Sequence, residues 1–139
     1  MVQLTTNTGR IGGGLVSRAV GVAGCLAVTA IHLIDQGGVP GSKEPGYIAV
    51  LYYVLEVAGV IAAVLLLTRY IRSGWLLALG VAAGPILGYV LSRGPGLPHY
   101  SEDIGNWAEP LGVTSLIVEG VLLILAATVL AKSHRRRHS

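Results

Sequence analysis

The sequence predicts an all-α membrane protein, an antiparallel bundle of four transmembrane helices with both termini cytoplasmic. Three observations lead there. Only 12% of the 139 residues are charged and 53% are hydrophobic, against about 25% charge in an ordinary soluble domain. Four apolar runs each approach the ~20 residues that cross a hydrocarbon core. The basic residues segregate: Arg10, Arg18, Arg69, Arg72, Lys132, Arg135, Arg136 and Arg137 fall on one side of the implied membrane, and only Lys43 and Arg93 on the other. The positive-inside rule makes the crowded side cytoplasmic. Asp35, Glu44, Glu102, Asp103 and Glu109 then fall outside or at the outer rim.

Taken in order, residues 1–14 are polar and Gly-rich and read as a flexible tail. The first span covers about 15–34, with Arg18 near its start, where a long side chain snorkels to the interface. Its apolar run exceeds the ~7–15 residues of a signal core, so a retained helix is expected. Residues 35–46 are rich in Gly and Pro and form a loop. The second span, about 47–67, ends in a tight basic turn, Arg69, Arg72, Ser73 and Gly74. The third, about 75–92, carries Gly80, Gly84 and Gly88 at every fourth position, which makes a groove on one face. Pro85 should bend it near Val81. An ordered outer loop leads to the fourth span, about 108–131, and 132–139 read as a basic cytoplasmic tail. The transmembrane domain is thus 15–131.

The polar residues inside the spans are the candidates for chemistry. Glu56 and Glu119 each lie about ten residues past the outer boundary of their spans, near mid-membrane at ~1.5 Å per residue. Ionisable groups at that depth face the bundle interior and mark functional sites by default. Tyr52 stands one turn before Glu56 and Ser115 one turn before Glu119, so each acid has a hydroxyl on its own face. If the acids meet, they share a proton or a bound cation. If they do not, they fasten helices through hydrogen bonds of ~0.6 kcal/mol.

Cys25, Thr29, His32 and Asp35 recur at three- and four-residue steps and share a face of the first helix. A histidine beside a carboxylate either relays a proton, binds a divalent metal, or is a rim residue held by Asp35. Metal candidates are His32, Asp35, Glu56 and Glu119, although helix rise puts His32 ~10 Å shallower than the midplane acids. Arg93 is an interfacial anchor or an ion-pair partner of Asp35 or Glu109. Asn106 followed by Glu109 fits a capping box, with Trp107 in the aromatic belt. The single cysteine excludes an internal disulfide and a zinc ribbon. No phosphate loop, nucleophile elbow or HExxH motif occurs.

The run Leu91-Ser92-Arg93-Gly94-Pro95-Gly96-Leu97-Pro98, with Trp107-Ala108-Glu109-Pro110-Leu111-Gly112, Ser115-Leu116 and Glu119-Gly120, resembles small four-helix membrane proteins of high-GC Gram-positive bacteria. Those share an LSR…GLP…W.EPLG..S…E pattern, and the likeness covers mainly 84–120. It implies a four-helix protein of a bacterial plasma membrane and treats Arg93, Glu109 and Glu119 as one constellation. It carries no activity with it.

Function is therefore expected in one of three classes. The first binds a proton, cation or small ligand in an outward-facing polar pocket floored by Glu56 and Glu119, with His32, Asp35 and Arg93 at its mouth. The second is an accessory subunit of a larger membrane complex. The third is a metalloprotein or enzyme built on His32 and the carboxylates. Enzymatic activity is not the favoured expectation, and no cofactor is required by the first two. Expected partners are the bilayer, anionic lipid at the C-terminal tail, and a second copy or a larger complex. The net charge of +3 reflects where the arginines stand and points to no nucleic acid.

Overall fold

The computed structural model of the chain describes residues 14–41, 43 and 46–138, with side-chain environments as far as Arg136. Most of the expected N-terminal tail lies outside the described residues; Gly14 itself opens a helix. Four helices follow among the described residues: α1 Gly14–Gln36, α2 Gly46–Leu66, α3 Ile71–Arg93 and α4 Pro110–His138. The shortest has 21 residues, about 31 Å at 1.5 Å per residue. Each is long and apolar enough to cross a bilayer, which marks a multi-pass membrane protein.

The ends differ from expectation in ways that local chemistry explains. α1 runs through Gln36 because Gly37 adopts a left-handed φ of 87°. That lets Gly38 N–H reach the Leu33 carbonyl at 2.9 Å and Gly37 N–H the Ile34 carbonyl at 3.1 Å, a Schellman stop. α3 starts at Ile71, not 75, because the turn is closed earlier, by Thr68. Its hydroxyl donates to the Leu65 carbonyl (2.8 Å) and accepts from Tyr70 N–H (3.1 Å). Gly74 therefore lies inside the helix, where an added Cβ would stand 2.9 Å from the Leu66 backbone nitrogen. Arg18 does not simply snorkel: its Nε donates to the Leu66 carbonyl at 2.8 Å, capping the C-terminus of α2 with a cation.

α4 begins at Pro110, and Glu109 is its N-cap. The Glu109 carboxylate accepts from Leu111 N–H (3.2 Å) and Gly112 N–H (2.7 Å), while its carbonyl accepts the first helical bond from Val113 N–H. Proline at the following position needs no partner for a missing N–H. The expected Asn106–Glu109 capping box is thus replaced by a cap on Glu109 alone. Asn106 is engaged in the preceding turn, its amide on the Asp103 carbonyl. At the far end α4 continues to His138, so the basic stretch from Lys132 is helical as far as that residue.

α1 touches each of the other helices, α3 packs on both α2 and α4, and α2 and α4 do not meet. The core joins Cys25 and Val28 of α1, Ala62 and Leu66 of α2, Trp75 and Ala78 of α3, and Leu122 and Ala126 of α4. Small residues let backbones approach here. A Cβ on Gly59 would meet the Thr29 hydroxyl at 2.2 Å and the Cys25 carbonyl at 3.1 Å, and one on Gly21 would meet the Trp75 ring at 2.7 Å. The Gly80, Gly84 and Gly88 groove is different: a Cβ at any of the three would meet nothing within 4 Å.

Gly59→Ala should therefore destabilise the bundle by about 1–3 kcal/mol, the usual cost of overpacking. Gly80→Ala should be neutral or stabilising by up to ~1 kcal/mol through helix propensity. Denaturant unfolding of both variants in mixed micelles checks the contrast.

Candidate functional site

The empty glycine groove forms one wall of a cavity of about 360 Å³, within the ~300–1,000 Å³ of small-molecule sites. Leu51, Val54 and Leu55 of α2 face it across the gap, and Leu77 and Val81 extend it. Polar groups gather at one end: His32 and Asp35 from α1, Tyr52 from α2, Ser92 and Arg93 from α3, and Glu109, Ser115 and Glu119 around the start of α4.

Glu119 is only 1% exposed. The Ser115 hydroxyl, one turn earlier on the same face, donates to its Oε2. From α1, His32 brings Nε2 to 3.9 Å from the same oxygen. The opposite ring nitrogen, Nδ1, lies 2.8 Å from the Val28 carbonyl. A carbonyl only accepts, so Nδ1 carries a proton and Nε2 presents either a lone pair or a second proton to Glu119. The pair thus has one exchangeable proton position on each partner. The Tyr52 ring meets the imidazole edge-on, centroids 5.2 Å apart.

Asp35 does not hold His32. Its Oδ2 accepts from the Tyr52 hydroxyl at 2.5 Å and pairs with Lys43 Nζ at 3.1 Å. Nor does it reach Arg93. Arg93 lies over the Tyr89 ring at 4.1 Å, the favourable face for a cation. It also donates to the Ser92 hydroxyl (2.9 Å) and the Asn106 carbonyl (3.2 Å), and pairs with Asp103 at 3.4 Å and Glu109 at 3.9 Å.

Those bonds fasten the connection between α3 and α4 over the polar end of the cavity. Leu97 and Tyr100 exchange backbone hydrogen bonds, Tyr89 donates to the Trp107 carbonyl at 2.5 Å, and Tyr47 of α2 donates to the Pro98 carbonyl. Tyr100 is buried and donates to Asp103 at 2.7 Å. Burial, and then the carboxylate that takes its hydrogen bond, hold this phenol above the usual tyrosine range.

Glu56 is placed elsewhere, and the two glutamates do not form a joint floor. They sit on α2 and α4, the two helices that do not touch. Glu56 lies off the cavity lining; its Oε2 accepts from Gln36 Nε2 at 3.4 Å, its backbone carbonyl accepts from the Thr29 hydroxyl at 3.3 Å, and its Oε1 is buried with no hydrogen bond among the described residues. Tyr52, one turn away, serves Asp35 instead of Glu56. Among the described residues no three of His, Cys, Asp and Glu converge closely enough to hold a metal, so the candidate set of His32, Asp35, Glu56 and Glu119 is split.

Sequence reasoning missed Tyr89, Tyr100 and Gln36. Tyr89 stands four residues before Arg93, the spacing at which a ring and a cation share a helix face, and was open to discovery. Gln36 follows His32 at the same spacing. Tyr100 carries no such signal, because the turn between Leu97 and Tyr100 places it.

No protein-family model matches the chain, and no curated protein or solved structure gives a match. The class that fold and site define is a multi-pass membrane protein with an intramembrane cavity, apolar along its walls and polar at one end.

A tyrosine held in its neutral form stabilises the fold below the ordinary phenol pKa of ~10, and that contribution is lost as pH rises above it. Wild-type protein should therefore lose stability at alkaline pH through Tyr100, and Tyr100→Phe should lack that component. Phenolate absorbance of the two proteins, recorded with unfolding, gives the comparison: the difference spectrum should titrate later than an ordinary tyrosine.

Proposed function

We propose that the chain is a protein of a bacterial plasma membrane, its four helices antiparallel and both termini cytoplasmic, that binds a small amine at the polar end of its cavity. The positive-inside distribution supports this orientation and would turn the polar end outward. The exposed Lys132, Arg135 and Arg136 on the extended end of α4 would then meet anionic headgroups.

The observation that carries the ligand class is Glu119. A carboxyl almost wholly withdrawn from solvent, with one serine hydroxyl donating to it, is stable in hydrocarbon either as the acid or opposite a cation. His32 Nε2, the nearest base, offers the displaced proton a first step on its way out to solvent. A protonated amine against Glu119 replaces the missing counter-charge, and Ser115 and the rest of the polar end supply its hydrogen bonds. Arg93 and Lys43 are already matched to acids, which leaves the polar end with more acid than base and disfavours an anionic ligand.

Butylamine should bind the protein in nanodiscs and release a proton to a weakly buffered solution. Its affinity should fall about tenfold for each unit by which the pH is lowered, where one proton competes for Glu119. Glu119→Gln, close in shape and able to keep the Ser115 contact, should lose both binding and proton release. Equal affinity in this variant would overturn the proposal.

A further inference from the structure

We infer that the cavity opens sideways to the bilayer, between α2 and α3, and that its ligand is an amphipathic amine whose hydrocarbon chain lies along the Gly80–Gly84–Gly88 wall. This rests on the amine-binding reading of the Glu119 end and adds the route and the shape of the ligand.

The route follows from what is covered and what is not. Over the polar end, the loop after α3 leaves the Arg93 side chain 13% and Tyr100 9% exposed, held by contacts from α2, α3 and the loop itself. Along the side, the lining residues are open. Leu51 is 57% and Val54 59% exposed on α2, and Gly80 and Gly84 are exposed opposite them on α3. In a spanning helix, exposure at such positions is exposure to lipid tails, not to water.

The gap is built into the helix pair. α2 and α3 are pressed together beside their short connection, where Gly74 abuts the Leu66 backbone. Further along, the three glycines leave space that neither α2 nor any other helix fills. Chains of hydrocarbon already surround this slot, and a slot without side chains is the shape a flexible chain fills.

The chemistry of the lining is asymmetric in the same direction. The wall consists of Leu51, Val54, Leu55, Leu77 and the glycines, and the hydrogen-bonding groups gather at the polar end, where His32, Ser115 and Glu119 stand with the loop-bound Arg93. A wholly polar ligand would waste the wall, and a wholly apolar one would leave Glu119 with a single hydrogen-bond donor. His32 Nε2, with no hydrogen bond among the described residues and its nearest charge partner at 3.9 Å, faces the same head position.

The test uses dodecylamine carrying a tail diazirine, photolysed with the full-length protein in phosphatidylcholine nanodiscs. Labels should map to Leu51, Val54 and the Gly80–Gly88 segment. Unlabelled dodecylamine should compete and dodecanoate should not. Gly84→Leu, placed where an added side chain has open space, should cut labelling about tenfold, equivalent to ~1.4 kcal/mol, and should weaken butylamine, whose short chain covers less of the wall, by a smaller factor. Leu51→Trp narrows the opposite lip and gives a second variant should the first not fold. Labels concentrated on Leu97 and Tyr100, or labelling unchanged in both variants while butylamine binding still requires Glu119, would overturn sideways access and leave the amine site standing. Equal competition by dodecanoate would overturn the amine head. Loss of Glu119 dependence for both amines would remove the site itself and this inference with it.

Discussion

Where Gly59 of α2 meets the Thr29 hydroxyl and Cys25 carbonyl of α1, and Gly74 of α3 meets the Leu66 backbone, the helices approach so closely that a Cβ would collide. Lipid tails are as apolar as leucine, so no hydrophobic force draws these helices together; close van der Waals contact and a few polar bonds must do it. The small residues of the core, Ala62, Ala63, Ala78, Ala82 and Ala126, serve that requirement. Fixing α2 against α1 at Gly59 and against α3 beside Leu66 sets how far it stands from α3 further along. The cavity is the consequence. It is bounded by helices whose positions are set elsewhere, and it persists because glycine supplies no side chain to fill it.

The polar residues then divide by which helix contact they serve. Arg18 closes the end of α2, and Thr29 and Gln36 tie α1 to the Glu56 turn. These are fasteners. Arg93 is a fastener of another kind: stacked on Tyr89 and bonded to Ser92, Asn106, Asp103 and Glu109, it turns a glycine-rich connection into a cover. Glu119 belongs to neither group. Its contacts with Ser115 and His32 do not exhaust what a buried carboxyl accepts, and it looks into the cavity. Two glutamates at matching positions along their spans have therefore come to different ends, one inside a helix joint and one at a cavity floor.

Much of the fold was legible because hydrocarbon thickness imposes a length on each apolar run, and all four helices fall close to the runs read from the sequence. The ends were less legible, since Thr68 and Glu109 act through local bonds that composition does not reveal. At the site, helical phase correctly grouped Ser115 with Glu119, because both sit on one helix one turn apart. It failed for Tyr52 and Glu56, whose shared phase brought no shared partner: Tyr52 found Asp35, and Glu56 found Gln36. Phase also says nothing about which helices touch. A joint site of Glu56 and Glu119 required α2 against α4, and that contact is absent. The glycine spacing was plain, but whether a glycine face receives a helix or leaves a slot depends on the register of the neighbouring pair.

If the cavity opens to the side as proposed, affinity would be divided differently along a ligand. In a water-filled pocket, apolar surface contributes about 25 cal/mol per Å² because burial removes it from water. With sideways access the competing occupant of the wall would be a lipid tail, and an alkyl chain moving from bilayer to wall would change one apolar environment for another. Its net contribution is limited to packing and shape, as helix association in lipid is. Discrimination then has to come from the head, where an acyl tail offers nothing to Glu119, Ser115 or His32. On the proposed reading, an amphiphile would be concentrated near the slot by its chain and selected by its amine. On this reading the glycines determine which shapes can lie against α3, and the buried carboxyl determines which of those shapes stay.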